Sequence, residues 1–248
     1  MARRLRFRVP AFTLALILVS ALGASAPGAA SAEGRGPDDD SRASASLDAA
    51  SSAIPTSTHP LVTDAARSEA VLRPSGGKAV STAVATSNCD GCSGTATTLQ
   101  TVRVTGNAPA AADNVATAWS SCSACSSTAV AVQIITGPRA ASIEVNNRSL
   151  ALNVLCSGCK TTAVALQFVI IGGSQKELSS ATKALITQIE QELGLKLSAS
   201  STRARSPEDS RDDAQRDADD AANRAKDAIK SDTQAQDVKA HVEVETGG

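Results

Sequence analysis

The chain has 248 residues with 24 basic and 25 acidic side chains, a formal net charge of −1. This balance argues against a nucleic-acid partner, which asks for a basic surface. With no tyrosine, one tryptophan and three phenylalanines, the interior must be built from Ala, Val, Leu and Ile, with little large-ring burial.

In chain order, residues 1–32 read as a signal peptide. Arg3, Arg4, Arg6 and Arg8 form a basic head, Phe12 to Leu22 an apolar run, and Ala30-Ser31-Ala32 a small-residue cleavage site. The apolar run falls short of the roughly 20 residues of a membrane-spanning helix, so no stable membrane insertion is expected after cleavage. General secretion accounts for this segment better than the twin-arginine route hinted at by Arg3-Arg4. Its removal takes away four arginines and leaves 20 basic against 25 acidic side chains, a net charge of −5. An acidic balance of this kind serves solubility.

Residues 33–75 are rich in Ala, Ser, Asp, Gly and Pro without a sustained apolar period, the composition of a disordered leader. Residues 76–197 hold what repeats. A Cys-x-x-Cys unit occurs three times, as Cys89–Cys92, Cys122–Cys125 and Cys156–Cys159, and uses all six cysteines of the chain. Eight residues after each second cysteine stands a glutamine: Gln100, Gln133 and Gln167. Between them runs a period-two alternation, with Ala96, Ala129 and Ala163 starting a face of small residues that ends on the glutamines. Thr97, Val130 and Val164, followed by Leu99, Val132 and Leu166, lie on the opposite face. Such alternation marks a β-strand whose two faces meet different surroundings.

The same alternation precedes each cysteine pair (Ala83 and Ala85, Ala116 and Ala118, Leu150 and Leu152). Two alternating runs around a short Cys-x-x-Cys segment, with Gly91 or Gly158 inside it in two of the copies, predict a β-hairpin with the cysteines in its turn. The expected fold is therefore mainly β (α+β): three CxxC-containing hairpin repeats in a small sheet or sandwich. The small Ala/Gln face would admit a close neighbour, and the buried amides would need partners there.

Residues 174–197 predict an amphipathic packing helix. Ser174 to Glu177 form a capping box, Leu178, Ala181, Leu185, Ile189 and Leu193 follow at helical spacing, and Gly194 suits the end. From Ser198 to Gly248 the chain turns to Ala, Asp and Arg. Pro207 favours a helix start, but the apolar stripe is narrow, so a disordered tail or fraying helix is expected.

Three chemistries compete for the cysteines. An exported chain with an even count favours disulfides, most simply one within each unit. Paired Cys-x-x-Cys units also supply tetrahedral zinc sites, although the gaps of 29 and 30 residues between pairs exceed the usual ribbon spacing. Redox-active pairs usually sit at helix N-termini, whereas here each pair leads into a strand. The two histidines, His59 and His241, fall outside the repeats, leaving a triad or histidine-based metalloprotease without a base. Asn147-Arg148-Ser149 matches a glycosylation sequon, and Trp119 reads as packing.

Residues 80–193, with their repeated Cys-x-x-Cys-x-x-x-Ala-x-Ala-x-Gln phrase and following helix, resemble a domain of uncharacterised exported or envelope proteins of actinobacteria. The second and third copies fit the phrase best, and the first has Thr98 in place of an alanine. Some relatives are labelled zinc metalloproteases. That activity does not carry over to this chain, whose matching region has neither HExxH nor a histidine. The resemblance implies secretion and an actinobacterial origin. The sequence reading is a secreted or cell-envelope structural or interaction protein with a protein or envelope partner and no cofactor. Its alternative is a thiol–disulfide or zinc-handling protein using the same cysteines.

Overall fold

The computed structural model describes residues 47–247 apart from positions 74, 108, 139–141, 173–176 and 201–205. The expected signal peptide and residues 33–46 of the leader lie outside the described residues. The fold is mainly β, as the alternation requires, and consists of stacked coils like those of a β-solenoid. One parallel sheet contains, in order, β1 (Asp48–Ala53), β3 (Gly77–Ser87), β5 (Ala110–Ser120) and β7 (Ile143–Asn153). The facing sheet contains β2 (Leu61–Leu72), β4 (Ser93–Val104), β6 (Ser126–Gly137) and β8 (Lys160–Ile171), all parallel, and then an antiparallel strand, β9 (Val238–Gly247).

The repeat is thus a coil and not a hairpin. The two strands around each cysteine pair lie in different sheets, and each bonds to its counterpart in the next coil, as in Gln100 opposite Gln133 and Gln133 opposite Gln167. The physical reason lies in the small faces. A hairpin would put both alanine faces on one side of a single sheet, with nothing to cover them. Folding the strands face to face buries Ala83, Ala85, Ala116 and Ala118 against Ala96, Ala129, Ala131, Ala163 and Ala165. Small side chains on both sides let the sheets approach closely, and dense packing compensates for the small area each methyl buries.

The expected disordered leader also needs correction, because its second part builds a coil without cysteines. β1 pairs with β3 and β2 with β4 at a step of 32 residues. Ala49 and Ala53 bury like the alanines of later coils, and Ser68 occupies the register position of a glutamine. A low-complexity composition hides this coil because Ala and Ser are what the inter-sheet space accepts.

The opposite face of the second sheet carries the larger apolar side chains, Leu99, Val130, Val132, Ile134, Leu166 and Phe168 among them. Helices cover this face. α1 (Ser180–Ser200) packs on β4 and β6 through Ile186, Ile189, Leu193 and Leu197. A packing helix was expected, but its details differ. The expected cap residues Ser174, Gln175 and Lys176 lie outside the described residues, and Glu177 precedes the helix. The Ser179 hydroxyl caps it by accepting from the Thr182 amide at 3.2 Å. Leu185, placed on the buried face by spacing, is exposed. Gly194 does not end the helix. An added Cβ there would lie 3.3 Å from Thr97 Cγ2, so the glycine lets α1 close on β4.

The tail is neither disordered nor a fraying helix. α2 (Pro207–Thr233) begins with Pro207 as expected, capped by Ser206, whose hydroxyl accepts from the Asp209 amide at 3.1 Å. Ala214, Ala218, Ala221, Ala222, Ala225 and Ile229 are buried in contacts with α1, β8 and β9. An alanine stripe looks too thin to bury when read alone, yet it suffices where the helix can approach closely. Asp232 joins the two helices by accepting from the Ser179 amide at 2.7 Å. Burial pushes its pKa up, but bonds from Ser179 and Thr182 prevail and hold it below the ordinary carboxylate value. β9 covers the edge of β8, which would otherwise be open to pairing with another chain.

Candidate functional site: the cysteine corners and the amide ladder

Each cysteine pair forms the corner where the chain passes from one sheet to the other. The sulfurs of Cys89 and Cys92, Cys122 and Cys125, and Cys156 and Cys159 lie at disulfide distance, with Cα–Cα separations of 5.4, 5.9 and 5.8 Å. These separations fall in the range that a disulfide spans. The residue before each second cysteine takes a left-handed conformation: Gly91 and Gly158 at φ +68°, and Ala124 at φ +52°. Glycine adopts this conformation freely, whereas alanine adopts it at a cost.

The corners stack as tightly as the strands. The Gly91 amide donates to the Ser123 carbonyl at 2.9 Å and the Ala124 amide to the Ser157 carbonyl at 2.8 Å. Stacking brings together sulfurs that the sequence separates by a whole repeat. Cys125 Sγ lies 3.1 Å from Cys159 Sγ and 4.0 Å from Cys156 Sγ. The sulfurs of Cys122, Cys125 and Cys159 all fall within 4.8 Å of one another. Exposure differs between the pairs: Cys122 is 8% and Cys125 1% exposed, whereas Cys156 and Cys159 are half-buried. Reduced, such a cluster presents soft thiolate ligands at a spacing able to hold a metal ion. The sequence gap that seemed to disfavour zinc is immaterial once one coil lies on the next.

The three glutamines face the space between the sheets and form a ladder. Gln133 Nε2 donates to Gln100 Oε1, and Gln167 Nε2 to Gln133 Oε1, both at 2.7 Å. The remaining amide hydrogens reach carbonyls of the facing sheet. Gln100 donates to Val80 at 3.2 Å, Gln133 to Asp113 at 3.1 Å and Gln167 to Ala112 at 3.1 Å. The ladder therefore ties coil to coil and sheet to sheet. Gln167 Oε1, at its last rung, is buried without a protein partner.

A second amide pair escaped the sequence reading. Asn114 Nδ2 donates to Asn147 Oδ1 at 2.8 Å, and to the Ala131 and Leu166 carbonyls at 3.0 Å each. The signal was available, since these asparagines stand one repeat step apart and are register partners. Asn147 itself donates to the Ala165 carbonyl at 2.7 Å, which commits the amide of the apparent sequon to the fold. Trp119 lies half-buried on the outer face of the first sheet, between Thr86 and Leu152 in register.

Outside the corners, a cleft of about 250 Å³ lies between the second sheet and α1. Lys183 closes one side by pairing with Glu69 at 2.6 Å. Nearby, Glu190 is 1% exposed and pairs with Arg67 at 3.4 Å, while its Oε1 has no partner. Burial raises the Glu190 pKa, opposed by a bond from Thr97 and the charge of Arg67.

Among the described residues, no helix is long and apolar enough to cross a membrane. No family model, curated protein or solved structure matches the chain.

Proposed function

We propose that this chain is a secreted or cell-envelope structural or interaction protein, a rigid solenoid fastened at its corners by disulfides. The observation that carries this reading is the asymmetry of its two sheets. Helices cover the second sheet, while the first turns registered rows outward: Ser52, Val84, Thr117 and Leu150, then Thr86, Trp119 and Leu152. Leu150 and Leu152 remain 47% and 46% exposed. Two exposed leucines on an uncovered sheet, set among outward serine and threonine, suit contact with a protein or envelope partner. Export is supported by the basic-apolar-small order of residues 1–32 and by cysteine pairs at disulfide distance, which oxidising compartments preserve.

Fractionation of cells expressing the full chain tests the reading. The chain is expected outside the cytoplasm, truncated near Ala32 and fully oxidised, with Leu150→Lys/Leu152→Lys reducing its retention by the envelope without unfolding it. A reduced, cytoplasmic product would refute it. A second reading rests on the cluster of Cys122, Cys125 and Cys159, in which a reduced chain would hold zinc. Titration of reduced protein with cobalt(II), followed by thiolate charge-transfer bands and displacement by zinc, tests this alternative. No bands at stoichiometric metal would eliminate it.

A further inference from the structure

We propose that the second and third cysteine corners form an intramolecular exchange pair, which carries the opening of the outer disulfide to the buried one. The inference rests on the pairs being disulfides and goes beyond their role as fasteners. Three observations combine. Cys159 Sγ lies 3.1 Å from Cys125 Sγ, in contact with the sulfur it would attack. Cys156 and Cys159 are half-buried, while Cys122 and Cys125 are buried and shielded from any external thiol. The sulfurs of Cys156 and Cys159 also converge on one carbonyl oxygen, that of Cys122, at 2.8 and 2.7 Å. The third pair is thereby seated directly against the second.

The step is a thiol–disulfide exchange and balances without an external oxidant. An external reductant, a tertiary phosphine or a thiol, first opens Cys156–Cys159. The phosphine is oxidised to its oxide with oxygen from water, and two thiols form. The Cys159 thiolate then attacks Cys125 Sγ. The Cys125–Cys159 bond forms, the Cys122–Cys125 bond breaks, and Cys122 leaves as the thiolate and takes up a proton. Exchange proceeds through thiolate attack on a disulfide sulfur, so contact between the sulfurs governs its course. The product joins adjacent coils covalently where only hydrogen bonds joined them before. The exchange is confined to the two corners whose sulfurs touch, whereas the sulfur of Cys92 in the first pair meets the Thr56 carbonyl at 3.8 Å.

The test uses the full chain, oxidised, with one equivalent of a tertiary phosphine. After an acid quench and denaturation, free thiols are labelled with a maleimide at mildly acidic pH, and unreduced peptides are mapped by mass spectrometry. Expected is a majority of singly opened molecules labelled at Cys122 and Cys156, with a Cys125–Cys159 bridge. Labels confined to Cys156 and Cys159, with Cys122–Cys125 intact, would overturn the proposal. Cys156→Ser gives a second measurement, because its free Cys159 should move the label to Cys122 without any reductant. In Cys159→Ser, where the remaining thiol lies 4.0 Å from Cys125, the transfer should be at least tenfold slower. Equal transfer in the two variants would also count against it. The mass of the untreated chain separates this failure from that of the disulfide reading, which requires six hydrogens fewer than the fully reduced form.

Discussion

Replacing Gln133 with leucine tests whether the amide ladder, beyond the cysteine pairs, holds the coils together. Gln133 is fully buried and makes three side-chain bonds, donating to Gln100 Oε1 and the Asp113 carbonyl and accepting from Gln167 Nε2. Leucine preserves most of the volume, so the cavity contribution is small. Three bonds at about 1 kcal/mol each, plus an orphaned Gln100 oxygen at about 1–3 kcal/mol, give a loss of about 4–6 kcal/mol. The same change at Gln167 removes three donated bonds but also deletes Oε1, which is already unpartnered. It orphans Gln133 Oε1 in turn, and that penalty is offset by the deleted Oε1, so its cost should be smaller, about 3 kcal/mol. Urea unfolding of both variants with the disulfides intact, read by far-ultraviolet circular dichroism, measures the difference. Equal losses, or a loss below about 1 kcal/mol for Gln133→Leu, would refute the view that the ladder couples the coils.

Ala124→Gly should stabilise the chain. The left-handed alanine costs about 1–2 kcal/mol, of which roughly half is offset by the greater freedom of glycine in the unfolded chain, so thermal unfolding should rise by about 1–4 °C; a fall in the midpoint would contradict the strain assigned to this corner. Gly194→Val should destabilise by about 1–3 kcal/mol, because it extends a Cβ position already tight against Thr97, and an unchanged denaturation midpoint would show that α1 lifts freely from β4. Glu190→Gln should change the pH profile of stability. The folded pKa of Glu190 is raised, so its favourable contribution is complete below the ordinary glutamate pKa and is lost as pH rises through the folded value. The glutamine variant should therefore gain on the parent as pH rises from acid to neutral, and a pH-independent difference in urea midpoints would remove burial as the controlling influence.

The repeat unit and its two faces were legible in the sequence alone, while the chemistry of its cysteines stayed open among disulfide, zinc and redox use. Cysteine spacing placed the three pairs, and period-two alternation assigned Ala and Gln to one face and branched residues to the other. The demand that buried amides find partners foretold the role of Gln100, Gln133 and Gln167. Pairing lay beyond it, because alternation states which face is buried and not which strand lies alongside. The folded coil pairs each strand with its counterpart one coil away and thereby brings Cys125 against Cys159. The first coil and the tail were hidden for a related reason. Ala49, Ala53 and the α2 alanines contribute little area individually, and their burial depends on a partner surface close enough to receive them. Small side chains carry a weak signal along the chain and a strong one only once two elements meet.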